Sequence, residues 1–186
     1  VVWNNYTFIE AFGSQGLKSW EQLFNAEELV GMHEFLHVHS NAAVSSDGSH
    51  VAAALREQSV RAGLVCAARN GVVLFDKAGE LLWNYTTPEC IYNVAVSEGG
   101  QYVVAGSISQ LYGFGIDGRV LWSVPVHAYN IAEPTMVAAS GAGQRFIAGD
   151  VGGRLFLGNA SGPYWQIQVN GQVESVAISD SGDTSV

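Results

Sequence analysis

The sequence predicts an all-β domain, and three features of its composition indicate this. The 186 residues include 22 Gly but only 4 Pro, and Gly supplies the positive φ that tight hairpin turns need. Hydrophobic residues make up 48% of the chain, which is enough for one domain with a sizeable core. Short segments rich in Val, Ala and Ser alternate with Gly turns, as expected for short strands and little helix.

A single sequence pattern recurs along the chain. Its first half is a small apolar strand, a Ser, a turn with Gly and a second apolar strand, found at 42–54, 94–107, 137–149 and 176–186. Its second half is a third strand, a Gly turn and a strand with Trp, found at 72–83, 111–122 and 155–165. In two units the Ser and the Trp lie 25 positions apart, at Ser97 and Trp122 and at Ser140 and Trp165. Four-stranded units with a period near 40 residues are typical of β-propeller blades.

We therefore predict that residues 1–186 form a single β-propeller region of about four four-stranded blades. It would begin with a half blade at 1–20, a helical insertion at 21–41 and a blade with a further insertion at 42–91. Two regular blades at 92–134 and 135–173 and a second half blade at 174–186 would follow. The helical insertion is predicted from helical spacing of the apolar residues Leu23, Leu29, Val30 and Met32.

The two half blades are predicted to complement each other. Counted head to tail, Ser179 and Trp20 lie 27 positions apart, close to the 25 positions found within the two regular units. Two arrangements fit: a small closed ring of four blades, or part of a larger propeller completed by further repeats or by other copies. We favour the second, because most propellers have more than four blades. Open strand edges would then favour association.

The Trp residues predict packing between neighbouring blades, since one Trp recurs at the same place in each unit, at Trp20, Trp83, Trp122 and Trp165. A second set of side chains predicts a binding site at the mouth of the channel. His39, Tyr92 and Glu174 nearly share one position, just before the innermost strand of their blades, so they should cluster if the ring closes. Such a cluster would bind carbohydrate or peptide.

The segment HEFLH at 33–37 matches the HExxH pattern of zinc peptidases, in which two His residues one helical turn apart bind the metal. His33, His37 and His39 are therefore candidate zinc ligands. The segment runs directly into a predicted strand, however, so His37 and His39 should leave the helix. An ordinary solvated helix end and strand start explains the same residues.

The charge balance argues against nucleic acid as a partner, because a net charge of −9 without a basic cluster does not attract phosphates. Apolar runs end well before the roughly 20 residues that a membrane-spanning helix needs.

Three sequons, at Asn5, Asn84 and Asn159, are candidate N-glycosylation sites. Cys66 and Cys90 would form a disulfide in an oxidising compartment, or be two buried thiols. The sequons favour an extracellular or cell-envelope location.

The blade pattern resembles the WD40-like and PQQ-like repeats of exported bacterial and archaeal propellers. In order along the blade it reads VAxS, xxG, xxVAGS and LYxFxxxGxxLW. The resemblance covers nearly the whole chain outside the two insertions. It implies a propeller but no particular activity, since such propellers serve as enzymes, scaffolds and surface proteins. The G-H and W-D dipeptides of many WD40 blades are missing, and so are the adjacent cysteines of quinone-dependent dehydrogenases.

Taken with the absence of a catalytic motif, these features favour a non-catalytic module of an exported or cell-surface protein. It would act in protein–protein interaction or in self-assembly, with protein partners or other copies of itself, and without a cofactor. Two alternatives stay open. One is an enzyme, either a quinoprotein oxidoreductase with PQQ or a zinc-dependent hydrolase at 33–37. The other is a propeller that binds glycans or peptides.

Overall fold

The computed structural model describes residues 6–25, 36–59, 65–66, 70–126, 135–141 and 145–185. Within these ranges the chain forms fifteen strands and one 3-10 helix, Glu98–Gly100. The strands are β1 Tyr6–Phe12, β2 Lys18–Asn25, β3 Leu36–Val44, β4 His50–Ser59, β5 Val65–Cys66, β6 Asn70–Asp76, β7 Leu81–Thr87, β8 Ile91–Val96, β9 Tyr102–Ser107, β10 Gln110–Gly115, β11 Val120–Pro125, β12 Met136–Ala139, β13 Arg145–Gly149, β14 Arg154–Asn159 and β15 Gly162–Gln168.

The strands form four antiparallel sheets, which we number as blades one to four. Blade one is β1-β2, blade two is β3-β4-β6-β7 with β5 added beside β4, blade three is β8-β9-β10-β11, and blade four is β12-β13-β14-β15. In blades two to four the strands follow one another across the sheet in chain order apart from β5. A bridge between Ile178 and Ser185 closes a further hairpin after blade four. The predicted all-β architecture of about four blades is confirmed.

The recurring Ser of the sequence pattern closes the turn between the first two strands of each blade. The Oγ atoms of Ser45, Ser97 and Ser140 accept a hydrogen bond from the backbone N–H five residues later, over 3.0, 3.1 and 2.8 Å. Ser179 does the same for Thr184 over 3.1 Å. The first three Ser residues are at most 3% exposed, so each hydroxyl is satisfied within the turn rather than by water.

Neighbouring blades pack through one repeated aromatic contact. The Trp on the last strand of a blade lies over an aromatic ring of the next blade, with centroid distances of 5.8 Å for Trp20 and Phe75, 5.6 Å for Trp83 and Phe114, and 5.0 Å for Trp122 and Phe146. Each of these three Phe rings is at most 1% exposed. The packing role predicted for the first three Trp residues is therefore confirmed.

The same Trp side chains also lie against a turn glycine of the next blade. A Cβ built on Gly79 would lie 2.7 Å from the ring of Trp20, and one on Gly118 would lie 2.8 Å from Trp83. Both glycines have positive φ, +84° and +78°, a backbone conformation that favours Gly. The turn Gly of the pattern therefore provides both the turn and the room for the Trp of the preceding blade.

The predicted helical insertion at 21–41 is wrong at both of its ends. Residues 21–25 belong to β2, where Glu21 pairs with Glu10 and Leu23 with Phe8, and residues 36–41 belong to β3, which pairs with β4. Strand pairing overrides the helical spacing, because the seven residues of β1 all pair with residues of β2. Blade two consequently begins at residue 36 rather than 42. Residues 26–35 lie outside the described part of the chain.

Candidate interaction surface

The outer strands of the blades carry exposed apolar side chains. These are Leu81 and Leu82 on β7, Val120 and Leu121 on β11, and Tyr164, Trp165 and Ile167 on β15, all between 37% and 56% exposed. Many apolar residues of the inner strands are instead buried in the clusters between blades. The outer edge is therefore one part of the described surface where apolar contacts are available.

A groove of about 380 Å³ separates the outer strands of blades three and four. Val124 and Pro125 of β11 form one side, and Pro163 and Tyr164 of β15 form the other, with Phe156 among the lining residues. Tyr164 is 56% exposed, whereas Phe156 is 4% exposed. The groove thus has an apolar floor and an exposed aromatic rim, a combination common at protein interfaces.

A charged pair supports the floor of this groove. The guanidinium of Arg154 lies 5.4 Å from the ring centre of Phe156 and forms an ion pair with the carboxylate of Asp150, with nitrogen–oxygen distances of 2.8 Å from both Nε and Nη2. The Asp150 side chain is 1% exposed and that of Arg154 is 19% exposed. The cation therefore neutralises a buried carboxylate and covers an aromatic ring at once.

On the inner edge, asparagines connect the first strands of successive blades. Asn41 of β3 donates a hydrogen bond of 2.7 Å to the side-chain oxygen of Asn93 in β8, and Asn93 donates one of 3.1 Å to the carbonyl of Thr135 beside β12. These residues were not predicted, although Asn41 and Asn93 both directly precede the recurring VAxS-type segment. That repetition was the available signal.

Two of the predicted channel-mouth residues, His39 and Tyr92, lie close in sequence to Asn41 and Asn93. Tyr92 is half-buried beside Asn93 in β8, and Glu174 is exposed between β15 and the final hairpin. His39 lies in β3, but its side chain is outside the described part of the structure. Joint binding by the three residues stays a prediction.

The turn of blade two contains a carboxylate that is strongly hydrogen-bonded. Asp47 accepts hydrogen bonds from the hydroxyls of Ser45 over 2.6 Å and Ser49 over 2.8 Å, and from the backbone N–H groups of Ser49 and Gly99 over 3.1 and 3.2 Å. These bonds, first of all that of Ser45, hold the pKa of the Asp47 carboxyl well below its ordinary value. The bond from Gly99 joins blade two to blade three.

Replacing Asp47 with Asn is expected to lower the melting temperature at neutral pH, because an amide nitrogen cannot accept the bonds made by the second carboxylate oxygen. A depressed folded-state pKa contributes stability that is complete above the unfolded pKa, about 4, and is lost as the pH falls towards the folded value. The difference between wild type and variant should therefore shrink below about pH 4. Thermal unfolding monitored by circular dichroism between pH 2 and 8 measures this difference in melting temperature.

The control for this prediction is Asp117→Asn in the exposed turn between β10 and β11. Asp117 accepts a backbone hydrogen bond from Arg119 over 3.2 Å, and its side chain is 53% exposed. Its replacement should change the melting temperature less. A constant difference for Asp47→Asn across the whole pH range would contradict the role assigned to the carboxylate.

The predicted zinc ligands fall largely outside the described structure. His33 is outside the described residues, and His37 and His39 lie in β3 with undescribed side chains. Since β3 begins at Leu36, His37 is in a strand, as the sequence indicated. Among the described residues, no group of three His, Cys, Asp or Glu could hold a metal ion. The zinc site itself stays a prediction.

The candidate modification sites lie in different settings. Asn84 is exposed on the outer strand β7, whereas Asn159 is half-buried at the end of β14 and its side-chain oxygen accepts a hydrogen bond of 2.8 Å from the backbone of Ser161. Asn5 is outside the described residues.

Cys90 is 2% exposed and disulfide-bonded. Cys66, the other cysteine of the sequence, lies in β5 with an undescribed side chain. Their pairing stays a prediction.

Comparison with known proteins gives matches of structure but not of sequence. No family model and no curated protein matches the chain. The solved structure of the Dos1 propeller is similar over 90% of this chain and 44% of its own, with a TM-score of 0.54 and 12% identity. A structure of the Mitotic Checkpoint Complex is similar over 95% of this chain and 51% of its own, with a TM-score of 0.57 and 16% identity.

A third similar structure, the WD40 repeats of RRP9, matches 76% of this chain and 47% of its own, with a TM-score of 0.54 and 9% identity. The chain folds as a β-propeller. It spans about half the length of these solved structures. At such low identity the likeness to them concerns the fold alone. In the described part of the chain, no helix is long and apolar enough to cross a membrane.

Proposed function

We propose that the chain is a non-catalytic propeller module of an exported or cell-surface protein, and that it acts in protein–protein interaction or self-assembly. The observation that carries this proposal is the groove between β11 and β15. Tyr, Trp and Arg are the residue types that contribute most to binding at protein interfaces, and the groove is lined by Tyr164, Trp165 and Arg154. The apolar outer strands β7 and β11 extend the same kind of surface.

The solved structures support the interaction role by analogy of fold. One of them is described as the Mitotic Checkpoint Complex, so a propeller of this architecture occurs there within a protein assembly. A fold alone does not define a function. The residues of the groove therefore carry the argument, and the analogy adds to it.

Site-specific photo-crosslinking tests the interaction role. A photoreactive amino acid at Tyr164 should form covalent adducts with protein in the cells that make this chain. The matched control places the same group at Gln101, an exposed residue of the turn between β8 and β9, where no adduct is expected. Equal adduct formation at both positions, or none at Tyr164, would contradict a specific role of the groove.

Export is supported by two features. Cys90 is disulfide-bonded, and disulfides persist mainly in oxidising compartments. Asn84, which begins the sequon Asn-Tyr-Thr, is exposed on an outer strand, where a glycan can point into solvent. Expression through a eukaryotic secretory pathway should give a protein that loses mass on treatment with an N-glycosidase, and Asn84→Gln should remove that loss. An unchanged mass loss in Asn84→Gln would assign the glycan to another sequon.

A further inference from the structure

The dipeptide Asn-Gly occurs twice in the chain, at 70–71 and at 170–171. In this dipeptide the backbone nitrogen of the glycine can attack the side-chain amide carbon of the asparagine. Glycine favours the attack because it has no side chain to hinder the approach and reaches many backbone conformations. The reaction converts the asparagine to an acid, and in a folded protein it needs a dipeptide that is exposed and free to move.

The first Asn-Gly is held inside the sheet of blade two. Asn70 is 3% exposed, and Gly71 lies in β6 between β4 and β7, where it pairs with Leu55 and Thr86. A Cβ built on Gly71 would touch the backbone carbonyl of Tyr85. The backbone cannot turn towards the side chain of Asn70 unless the sheet opens, and opening a core strand costs up to the full free energy of global unfolding.

The second Asn-Gly lies in a bend of the connection that follows β15. Asn170 and Gly171 are both exposed. Gly171 has a φ of +109°, and a Cβ built on it would have nothing within 4 Å. No hydrogen bond to another described residue holds the side chain of Asn170 or the backbone N–H of Gly171. The nitrogen and the amide carbon can therefore approach each other without breaking a strand pair.

The exposure of Asn170 matches that of the corresponding residue between two complete blades. Asn170 follows Trp165 by five positions, and Pro88 follows Trp83 by the same number. Pro88 is also exposed, although the four-stranded blade three follows it directly. This place in a blade is therefore open to solvent even where a full blade comes next.

We propose that Asn170 is a site of spontaneous deamidation. The backbone nitrogen of Gly171 forms a bond with Cγ of Asn170, and the bond from Cγ to the side-chain nitrogen breaks. That nitrogen leaves as ammonia with the proton of the Gly171 N–H, and a cyclic succinimide remains. Water then opens the ring. Attack at Cγ gives aspartate, whereas attack at the backbone carbonyl gives isoaspartate, in which the main chain runs through the former side chain.

The modification changes a loop that is attached at both of its ends. The backbone N–H of Val169 donates to the carbonyl of Gly153 over 2.8 Å, and that of Val173 donates to the carbonyl of Asp150 over 3.3 Å. Isoaspartate at 170 adds one carbon to the main chain between these two hydrogen bonds. The bond of Val173 already exceeds the usual length of such bonds, so we expect the longer loop to weaken it first.

Peptide mapping by mass spectrometry tests the proposal on the purified chain, incubated at mildly alkaline pH. In the folded chain, residue 170 should change from amide to acid at least tenfold faster than residue 70. In urea the sheet of blade two is open, so the two rates should become similar. Asn170→Gln is the matched control, because it keeps the side-chain amide but would have to close a ring with one more atom. It should stay an amide under the same conditions.

Hydrogen exchange of the loop separates isoaspartate from the added charge. The backbone N–H of Val173 should exchange faster in the isoaspartate form. Asn170→Asp adds the same charge but leaves the main chain unchanged, so its Val173 should exchange like that of the unmodified chain.

An Asn170 that stays an amide in the folded chain would overturn the proposal. Equal rates at residues 70 and 170 in the folded chain would overturn it as well, since the environment of the dipeptide would then have no effect. Unchanged exchange of Val173 in the isoaspartate form would contradict the effect assigned to the longer loop.

Discussion

Replacing Arg154 with Met is expected to lower the free energy of unfolding by about 3–5 kcal/mol, the usual cost of removing one partner of a buried ion pair. The substitution keeps most of the side-chain volume but removes the cation that binds Asp150 through Nε and Nη2. The Asp150 carboxylate is 1% exposed, so water cannot replace the lost charge. The backbone N–H of residue 154 still donates to Asp150, over 2.9 Å in the wild type. Urea denaturation followed by tryptophan fluorescence measures the effect.

Arg119→Met is the matched control for that experiment. Arg119 also pairs with an Asp in a turn, Asp117, over 3.3 Å, but the two side chains are 85% and 53% exposed. Exposed ion pairs contribute about 0–1 kcal/mol, so this variant should unfold almost like the wild type. Similar effects of both substitutions would contradict the view that burial of Asp150 determines the cost.

Much of the fold could be predicted from the sequence because the recurring residues form its turns and its contacts between blades. The Ser of a unit closes one turn, the Gly forms another turn, and the Trp packs on the next blade. Each recurring residue therefore has a structural role. Trp165 was predicted to pack in the same way, but it is 46% exposed. The repeat fixes the place of a side chain in its own blade, whereas its burial depends on the neighbouring blade.

The helix predicted at 21–41 was wrong at its two ends, 21–25 and 36–41, for a related reason. Helical spacing is visible within a short window, but the partner of β2 is β1, and Leu23 pairs with a residue 15 positions earlier. The groove was also not predicted, although the sequence contained a signal for it. Leu81 and Leu82, like Tyr164 and Trp165, are consecutive large apolar residues on an outer strand. All four are between 46% and 56% exposed.

Replacing Phe114 with Ala is expected to lower the free energy of unfolding by about 3–5 kcal/mol, the usual cost of deleting a buried Phe side chain. Phe114 is fully buried between blades two and three. Its ring centre lies 5.6 Å from that of Trp83, 5.1 Å from that of Tyr85 and 6.0 Å from that of Tyr112. The substitution would remove the centre of an aromatic cluster and leave a cavity. Equilibrium unfolding in urea measures the loss.

Phe12→Ala is the matched control for this prediction. Phe12 has the place in blade one that Phe114 has in blade three, but it is 59% exposed. The loss from Phe12→Ala should be below about 0.5 kcal/mol, as for most surface substitutions. Equal losses for Phe114→Ala and Phe12→Ala would contradict the view that burial of Phe114 between two blades determines the cost.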